Sequence, residues 1–152
     1  MKTQQHQLYA SEDTIDLGPE LTLAEIQQLV DRLRDTWWWE RTCSNVLRVR
    51  VQHHGRMKML GVGGYEESEH TGYLTFSGRT VREQYVVHEL AHVLARARFR
   101  STAHDPWFAR IYVELTFLVR GAEAYSALAE AFRRDGIDFD ADGVVDSDAV
   151  RV

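Results

Sequence analysis

The stretch YVVHELAH, residues 85–92, decides how the rest of the chain is interpreted. It holds His88, Glu89 and His92 in the order His-Glu-x-x-His, inside a segment that is predicted to be helical. Positions four apart on an α-helix differ by about 40°, so the two imidazoles project from one face, one turn apart. Imidazoles placed in this way can occupy adjacent corners of a zinc tetrahedron. Glu89 is angled to reach a water molecule beside the metal rather than the metal itself.

The helix that carries this motif has a predicted start and a predicted end. Thr80 and Glu83 have the Ser/Thr-x-x-Glu spacing of a capping box, in which each side chain satisfies a backbone N–H group that the first turn leaves unpaired. The helix is therefore predicted to open behind Thr80 and to run to about Phe99.

A site with two histidines needs a third ligand, and the chain offers two candidates downstream. His104 stands directly before Asp105 and Pro106, which have the pattern of an N-cap followed by proline at the first helical position. A short turn could bring the start of this helix, predicted over residues 107–119, back over the motif. Glu114 lies inside the same helix and is the carboxylate alternative. His104 is favoured because Glu114, although it lies in an apolar helix, is at a position that could equally be exposed to solvent. Glu114 stays open as the second candidate.

The first part of the chain is predicted to contribute an arm and one helix. Residues 1–20 show no sustained period and are interpreted as an arm or a short leading strand. Thr22 and Glu25 have the spacing of a second capping box. Behind it, apolar residues recur every three or four positions: Leu23, Ile26, Leu29, Val30, Leu33 and Trp37. The run 37–39, three tryptophans, is interpreted as a hydrophobic plug rather than an exposed patch, because aromatic side chains bury large areas.

A small sheet is predicted between this helix and the motif helix. Residues 46–51 alternate apolar with basic side chains, which is the period of a half-buried strand. Residues 57–62 and 72–77 are predicted as the next two strands. The glycine cluster at 61–64 lacks the spacing of a phosphate-binding motif and is interpreted as a loop. Because the connections are too short for helical crossovers, the sheet is predicted to be antiparallel.

The end of the chain is predicted to be a helix followed by an acidic tail. The helix is expected over Ala122–Arg134, and residues 136–152 have little apolar content, which predicts a flexible segment. The chain is thus divided into an arm over 1–20, one globular domain over 21–135 and this tail. The aspartates that make the C-terminal end acidic are Asp135, Asp138, Asp140, Asp142, Asp146 and Asp148.

Composition narrows the class of protein. The 152 residues are 44% hydrophobic and 27% charged, which is typical of one soluble globular domain. No apolar run approaches the roughly 20 residues of a membrane-spanning helix, and no secretory signal opens the chain, so a cytoplasmic location without a membrane partner is expected. The net charge of −5 offers no basic field for nucleic acid. A single cysteine, Cys43, excludes a multi-cysteine zinc site, so His and carboxylates must hold any metal.

The segment HELAH at 88–92, together with HDPWF at 104–108, resembles the active-site region of SprT-like zinc metalloproteases. Their pattern is HExxH followed by a His-Gly-x-x-Phe element. The segment is also similar to a family of small, zincin-type metallohydrolases of bacteria and phages. The resemblance is strong over residues 80–120 and only architectural over 21–79. Asp105 stands where the SprT-like pattern has glycine, and the chain lacks the cysteine-rich zinc ribbon that some of those proteins use for nucleic acid.

The resemblance implies an α+β, zincin-like fold with an N-terminal helix, a small antiparallel sheet, the HExxH helix and C-terminal helices. Carried onto this chain, it makes His88, His92 and His104 the zinc ligands and Glu89 the catalytic base. The expected function is that of a zinc-dependent hydrolase, a metallopeptidase that activates water to attack a peptide or protein substrate. The alternative is a non-catalytic binding or scaffold protein with a structural zinc site, which Glu114 would close as a fourth ligand.

Two features of the expected active site stay open at this point. Zincin-type enzymes lay a peptide along a strand beside the metal, and residues 72–77 are the candidate because they directly precede the motif helix. An additional donor to the oxyanion has four candidates, between which the sequence does not choose: Tyr85, Tyr112, Arg96 and His70.

Overall fold

The computed structural model describes residues 4–139, which form a mixed α+β fold. In chain order the elements are α1 (Gln4–Glu12), β1 (Glu20–Thr22), α2 (Leu23–Arg34), α3 (Trp37–Cys43), β2 (Arg48–His53), β3 (Gly61–Glu66), β4 (Thr71–Phe76), β5 (Thr80–Arg82), α4 (Glu83–Phe99), α5 (Pro106–Arg120) and α6 (Ala122–Arg134). Among the described residues, no helix is both long and apolar enough to cross a membrane.

The three-stranded sheet is mixed, so the prediction of an antiparallel sheet is wrong for one of its two pairings. The strand order is β2-β4-β3, with β4 antiparallel to β3 but parallel to β2. The chain passes from β2 to the far side of the sheet, forms β3, and returns to insert β4 between them. A parallel pairing therefore arises without a helical crossover, because β3 itself serves as the connection.

The glycine cluster belongs to a strand and not to a loop, and the strand predicted at 57–62 begins only at Gly61. Glycine is required here because β3 packs very closely on α4. A Cβ atom at Gly63 would lie 2.3 Å from the backbone oxygen of Glu89, and one at Gly61 would lie 2.8 Å from the ring of Phe76. Because glycine has no side chain, β3 can run directly beside the motif helix α4.

Of the two predicted capping boxes, one is present. Thr22 accepts a hydrogen bond from the N–H of Glu25 at 3.2 Å, and the Glu25 carboxylate accepts one from the N–H of Thr22 at 3.0 Å. Thr80, by contrast, lies in β5, where it pairs with Thr22 across the second, two-stranded sheet. The helix α4 begins three residues later, with Arg82 as an N-cap that makes no side-chain hydrogen bond. Because the Thr80 backbone is paired with β1, it does not form the predicted capping box.

The tryptophan run is divided between the core and the surface. Trp38 and Trp39 are buried, as the plug interpretation predicts, and the indole N–H of Trp39 donates to the carbonyl of Val46 at 3.0 Å. Trp37 is 51% exposed, so the interpretation is wrong for this residue. A turn at residues 35–36 separates α3 from α2, so the apolar stripe to which Trp37 was assigned ends before this residue.

The segment interpreted as an arm or a short leading strand contains a helix, α1, that packs against α6. Leu8 has no exposed surface, and Ser11 donates to the carbonyl of Ala131 at 3.2 Å. At the other end of the chain, Ile137 and Phe139 are buried, so the tail prediction is wrong for the first residues behind α6. The rest of the acidic segment, from residue 140, lies outside the described residues.

The three helices predicted in the second half of the chain, α4, α5 and α6, are present, and α4 carries the motif. The helix α4 packs against β3, β4 and α5, and α5 packs against α6. Asp105 caps α5 by accepting a hydrogen bond from the N–H of Phe108 at 2.9 Å, and Pro106 is the first helical residue. A break at Gly121, which has a φ of 90°, separates α5 from α6.

Candidate metal centre

Three histidine side chains converge at one point beside α4. The Nε2 atom of His104 lies 3.1 Å from that of His88 and 3.0 Å from that of His92. Within residues 4–139 this is the one group of three His, Cys, Asp or Glu side chains with the spacing of a metal site. The arrangement could hold a metal ion, and the geometry by itself does not fix which one.

Local structure explains how the third histidine reaches the other two. His88 and His92 occupy successive turns of α4, which ends at Phe99 with Arg100 in a left-handed conformation at a φ of 57°. Ser101 donates to the second carboxylate oxygen of Asp105 at 2.7 Å, while the first oxygen caps α5. This short, internally bonded turn reverses the chain and places His104 over the motif.

A buried carboxylate from α1 orients the first histidine. The Nδ1–H group of His88 donates to Oε1 of Glu12 at 2.6 Å, and both side chains are almost fully buried. With Nδ1 committed in this way, the lone pair of Nε2 points toward the cluster, which is the usual arrangement around a metal-bound histidine. The second oxygen of Glu12, Oε2, is buried with no hydrogen-bond partner among the described residues.

The surroundings of the three imidazoles set their charge. Burial, followed by the charge of the neighbouring His88, lowers the pKa of His92 to about 3 and that of His104 to about 4. These two rings are therefore neutral, which is the form that binds a metal. Burial also opposes a charge on His88, but the hydrogen bond and the negative charge of Glu12 outweigh it and raise its pKa. Glu12 thus favours positive charge at this position, which a bound cation would supply.

Glu89 faces the same cleft as the histidines. Burial, followed by the charge of Glu12, raises its pKa to about 7, against the lowering effects of His88 and of the Gly63 backbone N–H group. The cleft has a volume of about 610 Å³ and is open to solvent. The cleft is lined by the three histidines and Glu89. The other residues that line it are Tyr9, Met59, Gly61, Val62, Gly63, Thr102, Ala103 and Asp105.

Glu114, the carboxylate alternative for the third ligand, is not part of this cluster. It is 2% exposed, and it accepts a hydrogen bond from the indole N–H of Trp38 at 2.9 Å. Its other oxygen lies 2.8 Å from Nε of Arg110. The Glu114 side chain therefore forms a buried polar contact between α3 and α5. Of the two candidates for the third ligand, His104 is the one that lies in the cluster.

The four candidates for an oxyanion donor occupy different places. Tyr85 borders a pocket next to the cleft. Tyr112 has no exposed surface, and its hydroxyl accepts a hydrogen bond from Gln84 at 3.1 Å. Arg96 lines a separate pocket, and His70 lies in an exposed turn with a left-handed backbone. The ring of Tyr112 packs against that of His88, with 5.3 Å between their centres, so of the four only Tyr85 is both close to the histidine cluster and partly exposed.

The strand that was predicted to receive a peptide has no free edge. All but the last of residues 72–77 lie in β4, which has a neighbour on both sides and offers no free edge. The outer edge of β2 is occupied by the Gln27 side chain, which bonds to the backbone of Val49 and Val51. The strand that borders the cleft is β3, through Gly61, Val62 and Gly63.

Two residues of the candidate site were not predicted from the sequence: Tyr9, which lines the cleft, and Glu12, which lies behind His88. The ring of Tyr9 is parallel to that of His88, with 5.9 Å between their centres, and Glu12 holds the other side of the same imidazole. No local motif marks either residue, because both reach the site through the packing of α1 and not through their position in the chain.

Comparisons with protein-family models, with curated proteins and with solved structures give no significant match for the chain. The resemblance to SprT-like metalloproteases therefore stays a proposal, carried by the residues from His88 to Phe108.

Proposed function

We propose that the protein is a zinc-dependent hydrolase of the metallopeptidase type, with a zincin-like fold related to the SprT-like enzymes. The observation that carries the proposal is the convergence of His88, His92 and His104 on the floor of an open cleft, with Glu89 beside them. A catalytic zinc site has this composition, three protein ligands and one position accessible from solvent.

The donor set suits zinc. At Zn–N distances of about 2.0–2.1 Å, two corners of a tetrahedron are roughly 3.3 Å apart. The Nε2 atom of His104 lies 3.1 Å from that of His88 and 3.0 Å from that of His92. Three imidazoles also favour zinc over magnesium or calcium, which prefer oxygen ligands. The Glu12 carboxylate behind His88 adds the outer partner that zinc-binding histidines commonly have.

The chain's own residues then define the mechanism. When bound, zinc would polarise the substrate carbonyl and lower the pKa of water at the site. The Glu89 carboxylate accepts a proton from the attacking water and delivers it to the amine that leaves. An extended peptide adds to the outer edge of β3, the strand that borders the cleft through Gly61, Val62 and Gly63.

The alternative function, a non-catalytic scaffold protein with structural zinc, has less support. Structural zinc sites are closed by a fourth protein ligand. Glu114, the residue considered for that position, is bonded to Trp38 and Arg110 instead. An open cleft over the histidines favours an enzyme.

The experiment is the digestion of a peptide library, prepared from a whole proteome, by the zinc-loaded protein and by Glu89→Gln, with cleavage sites identified by mass spectrometry. The wild-type chain is expected to cleave peptides, and Glu89→Gln to lose at least about 100-fold in rate with its zinc retained, because an amide cannot act as the base. Equal cleavage by both proteins, or none by the zinc-loaded wild type, would contradict the proposal.

A further inference from the structure

We infer that the cleft has an apolar side pocket that binds a large aliphatic or aromatic side chain of the substrate, next to the bond that is cleaved. The pocket lies between α1, the turn before β3, the strand β4 and the start of α4, and its volume is about 360 Å³. Its apolar walls are Tyr9, Met59, Leu60, Phe76 and Tyr85. The inference rests on the proposed function, and it names the substrate class.

The pocket is continuous with the proposed catalytic cleft. Both are bordered by His88 and Glu89, and they also share Tyr9, Met59 and Gly61. A peptide that lies on the edge of β3 at Gly61 therefore has one side chain at the mouth of the pocket while its backbone is beside Glu89. This proximity makes the pocket a determinant of where the chain is cut.

Exposed apolar side chains mark the mouth of the pocket. Met59 is 60% exposed, Leu60 46% and Tyr9 45%. They are three of the six large apolar side chains that are exposed among the described residues. Apolar side chains gathered around a concave site indicate a binding surface, whereas scattered ones are ordinary.

The charges around the pocket favour an uncharged occupant. No lysine or arginine is among the residues that line it, and its one basic side chain, His88, is already bonded to Glu12. Of its two carboxylates, Glu12 is bonded to His88 through Oε1, and its Oε2 is buried with no hydrogen-bond partner among the described residues. Glu89 faces the backbone N–H of Gly63. A basic side chain is the remaining competitor, and the experiment includes it.

The test measures binding, so that it does not depend on turnover. N-acetyl amino-acid hydroxamates with Gly, Leu, Phe or Lys side chains are titrated into the zinc-loaded wild-type protein by calorimetry, after its zinc content has been measured. Burial of a large apolar side chain predicts that the Leu and Phe compounds bind about 10- to 100-fold more tightly than the Gly compound. The Lys compound is expected to bind no better than the Gly compound.

A matched pair of variants assigns the preference to the pocket. Met59→Lys places a charge at its mouth and is expected to reduce the preference for Leu and Phe at least about fivefold. Leu47→Lys makes the same kind of change at a side chain that is 56% exposed and outside both pockets, and it is expected to keep the preference.

The outcomes separate this inference from the proposed function. If the protein holds zinc but binds the four compounds within about twofold of one another, or prefers Lys, the pocket inference is wrong and the hydrolase proposal is untouched. If the apolar preference is present but peptides are not cleaved, the hydrolase proposal fails and the pocket stands. If the protein takes up no zinc, both are overturned.

Discussion

The Oε1 atom of Glu12 lies 2.6 Å from the Nδ1 atom of His88, although 76 residues separate the two along the chain. Both side chains are buried, so the contact is shielded from solvent. It makes the N-terminal helix α1 part of the candidate metal centre, because the direction in which His88 presents Nε2 depends on the carboxylate behind it.

Removal of this carboxylate is therefore predicted to weaken zinc binding. Glu12→Ala should lower zinc affinity about 10- to 100-fold, measured by competition with a chelator of known affinity. Glu114→Gln is the control, since it changes a carboxylate that is equally buried but not part of the histidine cluster. It should leave zinc affinity unchanged. Zinc affinity of wild-type strength in Glu12→Ala would show that the contact has no role in the site.

The third ligand gives a sharper prediction. His104→Ala should lower zinc affinity by orders of magnitude, since the loss of one of three imidazoles leaves an incomplete set of donors. His54→Ala removes an exposed histidine outside the cluster and should have no effect. The same chelator competition measures both. If the two variants retain zinc equally well, His104 is not a ligand.

The close approach of β3 to α4 is tested by a pair of neighbouring glycines. Gly63→Ala would place a Cβ atom 2.3 Å from the backbone oxygen of Glu89, so strand or helix must shift. A loss of roughly 1–3 kcal/mol in the free energy of unfolding is expected. Gly64→Ala meets nothing within 4 Å and should be neutral or slightly stabilising. Urea denaturation of both variants provides the values, and equal stability would contradict the packing described here.

The buried contact between α3 and α5 predicts an unequal effect of two tryptophan substitutions. Trp38→Phe removes the indole N–H that donates to Glu114 and should cost about 1–3 kcal/mol of the free energy of unfolding. Trp37→Phe changes a side chain that is 51% exposed and should cost less than about 0.5 kcal/mol. Thermal and urea unfolding measure the difference. A larger effect at Trp37 would reverse the assignment of the plug.

The parts of the site that sequence reasoning anticipated are those encoded by local spacing. The separation of His88 from His92 is set by the turn of one helix, and Asp105 with Pro106 marks the start of another. Because a short, capped turn joins these helices, the placement of His104 followed from the residues around it. Glu12 could not be predicted in this way, since it belongs to no sequence motif that also includes His88.

Three errors in the predicted fold have a common physical origin. Each concerns a segment whose local preference was overruled by a partner distant in sequence. Glycine is unfavourable in an isolated strand, yet Gly63 is required where β3 meets α4. Thr80 has the spacing of a cap, but its backbone pairs with Thr22. The position of β4 between β2 and β3 likewise depends on pairing that no single segment encodes.

The central claim is that His88, His92 and His104 together bind one zinc ion. The most direct measurement is elemental analysis of the protein, purified without a nickel column, beside His88→Ala and His92→Ala prepared in the same way. The account predicts about one zinc ion per wild-type chain and the loss of most of it in both variants. A wild-type chain without zinc, or variants that hold as much zinc as the wild type, would contradict it.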